Sequence, residues 1–179
     1  NLNNLKLILP NRSEMDLSDE DSCRNFLRES KPDLVINAAA YTNVDKAEEE
    51  QDLARKVNSQ APRIIAEEIL LNGGGLIHIS TDFVFSGSKS VPYLPSDSRS
   101  PLGVYGRSKA DGEKAIEDLL FPTNQGHIVR TSWLYSPFGK NFVLAMLNLH
   151  KHRKVINVVA DQVGSPTSAK TLASPRSST

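Results

Sequence analysis

Tyr105 and Lys109 are the residues of this 179-residue chain whose types and spacing point most directly to chemistry. On one helix, their four-residue spacing places the phenol and the ammonium on the same face, one turn apart. A nearby cation favours the phenolate and so lowers the pKa of a tyrosine below its ordinary value of about 10. An acid tuned toward neutral pH suits the reduction of a ketone. The spacing also occurs in ordinary surface pairs, so the surrounding segments must decide between the two interpretations.

The stretches around this pair alternate between the patterns of strands and helices. Apolar runs typical of strands cover residues 5–9, 34–36, 76–79, 127–129 and 155–159. Helical periodicity covers residues 18–31, 45–71, the segment of Tyr105 and Lys109, and residues 141–152. Because parallel strands need crossovers, this alternation predicts an α/β fold, a doubly wound parallel sheet with helices on both faces. Such sheets bind ligands beyond the carboxyl ends of their strands, where the candidate motifs lie.

Local features carry further predictions about these elements. Ser18 is predicted to open the first helix, and Pro62 to kink or break the second. The continuous apolarity of Leu34, Val35 and Ile36 predicts burial on both faces of that strand. The charge run over residues 45–56 is interpreted as a solvated helix face that needs no partner. The apolar positions predicted for this second helix are Leu53, Val57, Ala61, Ile64, Ile65 and Ile69.

Composition excludes several classes of function. Lysine plus arginine and aspartate plus glutamate both total 21, so no net charge favours nucleic acid or an anionic membrane as a partner. No apolar run approaches the ~20 residues that span a bilayer, and the start shows no signal-peptide pattern, which predicts a cytoplasmic protein. The single cysteine, Cys23, is expected to be buried in a reducing compartment. The histidines show no metal-ligand spacing, so no metal site is predicted, and His78 is interpreted as a core residue.

Five segments, taken in order, resemble the dTDP-4-dehydrorhamnose reductase family of extended short-chain dehydrogenase/reductases. They read NAAAYTNVDKAE from Asn37, STDFVFSG from Ser80, YGRSK from Tyr105, RTSWLY from Arg130 and DQVGSPTSA from Asp161. The resemblance implies a Rossmann-like reductase domain over residues 1–172, followed by a disordered tail over 173–179. It also implies that NADPH, or NADH, reduces the C4 ketone of dTDP-4-dehydro-L-rhamnose to dTDP-L-rhamnose for surface polysaccharide.

The resemblance assigns roles to residues of this chain. Tyr105 would be the acid, Lys109 would hold the nicotinamide ribose, and Thr81 would hydrogen-bond the ketone oxygen. Arg12, beside Asn11, stands where related folds place an acidic residue against the ribose 2′-hydroxyl, which favours NADPH over NADH. The cofactor contacts implied are Arg12, Asp16, Leu17, Ala39, Ala40, Thr42, Tyr105 and Lys109, and the substrate contacts are Val44, Thr81, Asp82, Tyr105 and Trp133.

Some alternatives stay open on the sequence. No G-x-x-G-x-x-G turn precedes Leu5 and the match ends near residue 172, so both ends of the family's domain are expected to be missing. A reductase of another nucleotide-linked 4-keto-6-deoxy sugar is one alternative. A non-catalytic regulatory subunit on the same fold, as in the β subunit of methionine adenosyltransferase, is another. Trp133 fits a core or lid residue as well as a sugar contact, and a homodimer is one option for assembly.

Overall fold

The computed structural model describes residues 5–174, which form two compact units. The first unit extends to Val129, and the second begins at Arg130. The prediction of one reductase domain over residues 1–172 stays a prediction. The predicted tail lies, from residue 175 onward, outside the described residues. Within residues 5–174, no helix has the length and apolar character needed to cross a membrane.

A three-stranded sheet organises the first unit. Its strands are β1 (Leu34–Asn37), β2 (Gly75–Thr81) and β3 (Gly126–Thr131), in the order β1-β2-β3. β1 and β2 run parallel, with Leu34 opposite Gly75 and Asn37 opposite His78. The last two residues of β3 belong to the second unit. The parallel pairing and the helices between strands confirm the predicted α/β class.

Helices make up the rest of the regular structure in the first unit. They are α1 (Glu20–Ser30), α2 (Val44–Ala47), α3 (Gln51–Arg55), α4 (Ala61–Asn72) and α5 (Val104–Leu120), with a π-helical turn at Lys56–Gln60 and a 3-10 turn at Asp82–Val84. Fully buried apolar side chains from α1, α4, β2 and α5 form one cluster, namely Leu27, Ile65, Ala66, Ile69, Leu76, Ile116 and Leu120. Burial of these side chains is the main source of stability for this unit.

Three predictions about strands are wrong in the structure. Residues 5–9 and 155–159 lie in neither a helix nor a strand, and the leucines and valines of both runs are exposed. β1 forms as predicted, but Leu34 and Ile36 are 53% and 63% exposed. Side chains alternate across a strand, so burial on both faces needs a covering layer on each side. An apolar run reports hydrophobicity, whereas a strand also requires a hydrogen-bonded neighbour.

The predicted helix over residues 45–71 is divided into α2, α3, the π-helical turn and α4. Pro62 lies in the first turn of α4, where its missing N–H costs nothing, so a break before it is confirmed. Of the predicted apolar positions, Leu53 and Val57 are only half-buried, and their neighbours Ala54 and Asn58 are buried instead. Periodicity could not separate Val57 from Asn58, since both lie within one turn of Ala61.

The first helix begins one residue later than predicted. Asp19, not Ser18, is the N-cap of α1, and its carboxylate accepts a hydrogen bond from the backbone N–H of Ser22 at 3.2 Å. The Ser18 hydroxyl is occupied elsewhere, because it donates to the Asp16 carboxylate at 2.7 Å. Cys23 is buried on this helix, as predicted.

The second unit buries fewer side chains than the first. It contains β4 (Leu134–Tyr135), α6 (Phe142–His150), β5 (Thr167–Ser168) and α7 (Ala169–Ala173). β4 and β5 run parallel, with Leu134 opposite Thr167. The helix predicted over residues 141–152 is confirmed, with the side chain of Asn141 accepting from the Leu144 N–H at 3.1 Å. Within residues 130–174, no side chain is fully buried.

Candidate active site

Tyr105 and Thr81 meet where the end of β2 packs against the start of α5. Thr81 is the last residue of β2 and Tyr105 is the second residue of α5, and the Thr81 hydroxyl lies close enough to the phenol to influence its pKa. Thr81 also accepts from the Phe83 N–H at 3.2 Å and donates to the Asp82 carboxylate at 3.1 Å. The Phe83 ring meets the Tyr105 ring edge-on, with centroids 5.5 Å apart. The structure thus brings together Thr81, Asp82 and Tyr105, which the sequence predicted for one site.

Gly106 makes this close packing possible. A Cβ at this position would lie 2.3 Å from the carbonyl oxygen of Phe83, well inside van der Waals contact. Only a residue without a side chain allows the first turn of α5 to approach the backbone after β2 this closely. The glycine within the YGRSK segment therefore has a positional role beside the reactive groups.

The pKa of Tyr105 differs from the sequence prediction. Burial raises it above its ordinary value, the neighbouring Thr81 hydroxyl opposes this rise, and the Asp82 carboxylate adds to it. The prediction that Lys109 lowers the pKa of Tyr105 is wrong. The Lys109 ammonium is directed toward β2 and is not among the groups that shift the pKa of the phenol. The phenol consequently keeps its proton at neutral pH.

Lys109 is buried, with only 2% of its surface exposed. Its Nζ donates to the Ile79 carbonyl at 2.8 Å and lies 3.1 Å from Nε2 of His78. Burial lowers the pKa of Lys109 to about 8, while the Glu113 carboxylate one turn along α5 raises it. Glu113 is itself fully buried and pairs with Arg99 Nη1 at 3.0 Å. A lysine with such a pKa can change its charge close to physiological pH.

Ala39, Ala40 and Thr42 lie in the loop after β1, which is tied to α5 through Asn58. The Asn58 side chain accepts from the Tyr41 N–H at 2.8 Å and donates to the Tyr41 carbonyl at 2.9 Å. It also donates to the Ser108 hydroxyl at 3.1 Å. The predicted cofactor loop is therefore held against the helix that carries Tyr105 and Lys109.

Sequence reasoning missed Asn58, although a signal was present. Asn58 is the polar member of the buried series Ala54, Asn58, Ala61 and Ile65, whose spacing is helical. A polar side chain at such a core position needs internal hydrogen-bond partners. It could therefore have been recognised as the centre of a polar network.

Glu48 was also missed, because its charge run was interpreted as needing no partner. Its carboxylate accepts a hydrogen bond from the Val104 N–H at 2.7 Å, at the first turn of α5. Gly103, the N-cap residue of α5, offers no side chain for this purpose. The solvated-face interpretation is wrong at this position, and no periodicity in residues 45–56 could reveal a partner 56 residues away. Val44, a predicted substrate contact, packs in the same apolar cluster as Tyr105.

Arg12, Asp16 and Leu17 form a local group near α1. Arg12 Nε donates to Asp16 at 3.0 Å, and the side chain of Arg12 is 77% exposed. Hydrogen bonds from Ser18, followed by that from Arg12, lower the pKa of Asp16 to about 2. Leu17 is half-buried and packs against clusters that include residues of α1 and α4. Their predicted contact with the cofactor stays a prediction.

Trp133 belongs to the second unit. Its backbone has a positive φ of 46°, its side chain is 48% exposed, and the indole packs over Gly164. A Cβ at Gly164 would lie 2.7 Å from the ring, so this contact requires glycine. Trp133 lies in the fourth segment of the resemblance, RTSWLY, and Gly164 lies in the fifth, DQVGSPTSA. Their contact therefore joins these two segments. The substrate role of Trp133 stays a prediction.

Comparison with known proteins gives a family match and several relatives about 40% identical to this chain. A sequence profile of the family described as RmlD substrate binding domain matches residues 1–177. The dTDP-4-dehydrorhamnose reductase of Aggregatibacter actinomycetemcomitans is 43% identical over 162 residues, covering 90% of this chain and 54% of the relative. The spore coat polysaccharide biosynthesis protein SpsK of Bacillus subtilis is 39% identical over 168 residues, covering 94% and 58%. The chain spans about half the length of these relatives.

Solved structures agree with the sequence relatives. The dTDP-4-dehydrorhamnose reductase of Bacillus anthracis in complex with NADP superposes with a TM-score of 0.85 at 40% identity, over 91% of this chain and 57% of that one. A dTDP-4-dehydrorhamnose reductase from Clostridium acetobutylicum superposes with a TM-score of 0.89 at 40% identity, over 96% of this chain and 60% of that one. These neighbours confirm the Rossmann-like fold. The chain belongs to the RmlD substrate binding domain family, the family of the dTDP-4-dehydrorhamnose reductases.

Proposed function

We propose that this chain carries the reactive centre of an NADPH-dependent reductase that converts the C4 ketone of dTDP-4-dehydro-L-rhamnose to the alcohol of dTDP-L-rhamnose. The observation that carries the proposal is the placement of the Thr81 hydroxyl beside the Tyr105 phenol, with buried Lys109 one turn further along the same helix. The names of the relatives support the substrate, and the NADP bound to the Bacillus anthracis enzyme supports the cofactor.

The described residues fit the nicotinamide end of this cofactor. The loop after β1 begins with three alanines, and Ala39 and Thr42 are exposed there. Small exposed residues at the carboxyl end of a parallel strand allow a ligand to approach the backbone closely. Two donor hydrogens of the Lys109 ammonium are directed at Ile79 and His78, and we assign the third to the ribose hydroxyls. Exposed Arg12 would contact the 2′-phosphate, which supports NADPH over NADH.

The chemistry divides between a proton and a hydride. NADPH, when bound, supplies the hydride that C4 accepts. Tyr105 donates its phenolic proton to the ketone oxygen, and its raised pKa keeps that proton in place until negative charge develops on the oxygen. The Thr81 hydroxyl, which donates to the Asp82 carboxylate here, would turn its proton to the same oxygen and orient it with a hydrogen bond.

A Tyr105→Phe substitution tests the proposal. The phenylalanine keeps the ring packed against Phe83 but removes the proton, so kcat should fall by about 100-fold or more while the Kd for NADPH stays unchanged. NADPH binding is measured by fluorescence titration, and turnover by loss of NADPH absorbance with dTDP-4-dehydro-L-rhamnose. Tyr93→Phe, which changes a tyrosine of the loop after β2, is the matched control and should retain kcat.

Two results would contradict the proposal. Equal turnover in the Tyr105→Phe variant and the unaltered chain would remove the phenol from the mechanism. NADPH binding by the unaltered chain without any turnover would instead support the regulatory alternative. Replacing NADPH by NADH in the same assay tests the role of Arg12, and a clear preference for NADH would contradict that assignment.

A further inference from the structure

His78 lies behind Lys109 in the interior of the first unit. It is fully buried on β2, and its two ring nitrogens face two different partners. Nε2 lies 3.1 Å from the Nζ of Lys109, and Nδ1 lies 3.2 Å from the Nδ2 of Asn37 on β1. The imidazole therefore connects the carboxyl end of β1 to the lysine of α5. The proposed reaction assigns no role to this histidine.

The imidazole of His78 is neutral in this position. Burial, followed by repulsion from the neighbouring ammonium, lowers the pKa of His78 to about 3. A neutral imidazole carries one proton and one lone pair on its two nitrogens. Which nitrogen carries the proton is therefore decided by the two partners rather than by titration of the ring itself.

The protonation state of Lys109 determines the arrangement of this network. An ammonium has donors only, so beside charged Lys109 the Nε2 of His78 must accept, and the ring proton must lie on Nδ1. Nδ1–H then donates to Asn37, whose amide presents its oxygen after a half-turn. A neutral amine can accept, so beside neutral Lys109 the proton lies on Nε2, and Nδ1 accepts from the Asn37 amide N–H, as that amide is oriented here.

We propose that His78 is a positioning residue for Lys109. The His78 imidazole accepts from the Lys109 ammonium, donates to the neutral Lys109 amine, and exchanges tautomers as that lysine changes charge. This inference deepens the proposed reductase function and rests on it for its consequence. With the Ile79 carbonyl on the other side, His78 holds the lysine nitrogen in one place in both charge states. Among residues 5–174, the charged group that acts on Lys109 is Glu113 on its own helix, and Glu113 pairs with Arg99.

The tautomer of His78 can be measured directly. In the unaltered chain labelled with 15N-histidine, long-range proton–nitrogen correlations show which ring nitrogen carries the proton, and a His78→Gln variant identifies the signals of His78. The Nδ1–H tautomer is expected below the titration midpoint of Lys109, and the Nε2–H tautomer above it. A single tautomer across that midpoint, or an imidazolium near neutral pH, would overturn the proposal.

A second measurement follows the lysine. In chains labelled with 15N- and 13C-lysine, the midpoint of Lys109 should fall by about one pH unit in His78→Leu, a tenfold weaker proton affinity, because the ammonium loses an acceptor. The His78→Gln variant, whose carbonyl oxygen can accept, should restore most of this shift. His127→Leu, which changes an exposed histidine of β3, should leave the midpoint unchanged. An unchanged midpoint in a folded His78→Leu variant would overturn the proposal.

These measurements separate the inference from the reductase assignment. They use neither cofactor nor substrate, so the contact between His78 and Lys109 can be confirmed even if Tyr105→Phe retains turnover. If His78→Leu does not fold, the tautomer measurement on the unaltered chain still tests the proposal. Where turnover is present, the basic limb of the pH profile of kcat/KM should shift in the same direction as the Lys109 midpoint, an effect that a purely structural histidine would not produce.

Discussion

Glu68 on α4 and Lys109 on α5 are equally buried charged residues with opposite surroundings. Both are 2% exposed. Glu68 accepts from Arg24 at 3.0 Å and Arg28 at 2.8 Å, and although burial alone raises its pKa, these arginines lower it overall. Lys109 faces a backbone carbonyl and a neutral imidazole, and its pKa is lowered to about 8.

The difference shows how the same burial serves two purposes. Opposite charges at hydrogen-bond distance keep Glu68 ionised across the physiological range, so its cluster holds α1 against α4 and does not titrate. Neutral partners satisfy the hydrogen bonds of Lys109 but offset little of its desolvation cost, so its charged form is destabilised relative to its neutral form. Of these two buried groups, only Lys109 is placed to change charge during a reaction near neutral pH.

Substitution of Glu68 should give the largest loss of stability. Glu68→Gln keeps the shape of the side chain but leaves two arginines without their shared buried carboxylate, so the free energy of unfolding should fall by about 2 to 4 kcal/mol. Chemical denaturation measures this loss, and Glu29→Gln, at an exposed position of α1, is the control. A loss no larger than that of the control would show that the cluster is not a stabilising pair.

Substitution of Lys109 should have the opposite sign. Lys109→Met removes a desolvated charge and retains most of the packing volume, so the free energy of unfolding at pH 7 should rise by about 1 to 2 kcal/mol. Binding of NADPH should weaken in the same variant, since the proposed ribose contact is lost. A variant less stable than the unaltered chain at pH 7 would show that the two hydrogen bonds of Lys109 outweigh its desolvation.

The pH dependence of the same variant sharpens this prediction. The ordinary pKa of a solvated lysine is 10.5, whereas the pKa of Lys109 in the folded chain is about 8. Between these values the unfolded chain binds more protons, so the contribution of Lys109 to stability rises as pH increases from about 8 to 10.5. The stability advantage of Lys109→Met should therefore shrink over this range. A constant difference between the two chains across the range would contradict the lowered pKa.

Substitution of Glu48 should give the smallest effect. Glu48→Gln weakens the hydrogen bond to the Val104 N–H at the start of the helix that carries Tyr105, and the free energy of unfolding should fall by about 0.5 to 1 kcal/mol. Glu49→Gln removes the neighbouring exposed charge and is the matched control. Thermal denaturation of both variants at one salt concentration separates the cap from a general charge effect. Equal melting temperatures would show that the cap contributes nothing.

Much of the site could be read from the sequence because it depends on local order. The spacing of Tyr105 and Lys109, the strand that ends at Thr81 and the helix that follows are properties of neighbouring residues. The carboxyl end of each parallel strand then leads to one edge of the sheet, as Asn37 and Thr81 show. Residue type and periodicity therefore determined the fold class, whereas the association of Tyr105 with Thr81 followed from the family resemblance.

The tertiary structure alone decided the environment of these groups. Asn58 meets Tyr41 and Ser108, Glu48 meets Val104, and His78 meets Lys109 across separations of 17 to 56 residues. These contacts depend on which helices pack together, as does the burial that raises the pKa of Tyr105 and lowers that of Lys109. A sequence names the ionisable groups, but desolvation and distance set their charge, and both exist only after the chain has folded.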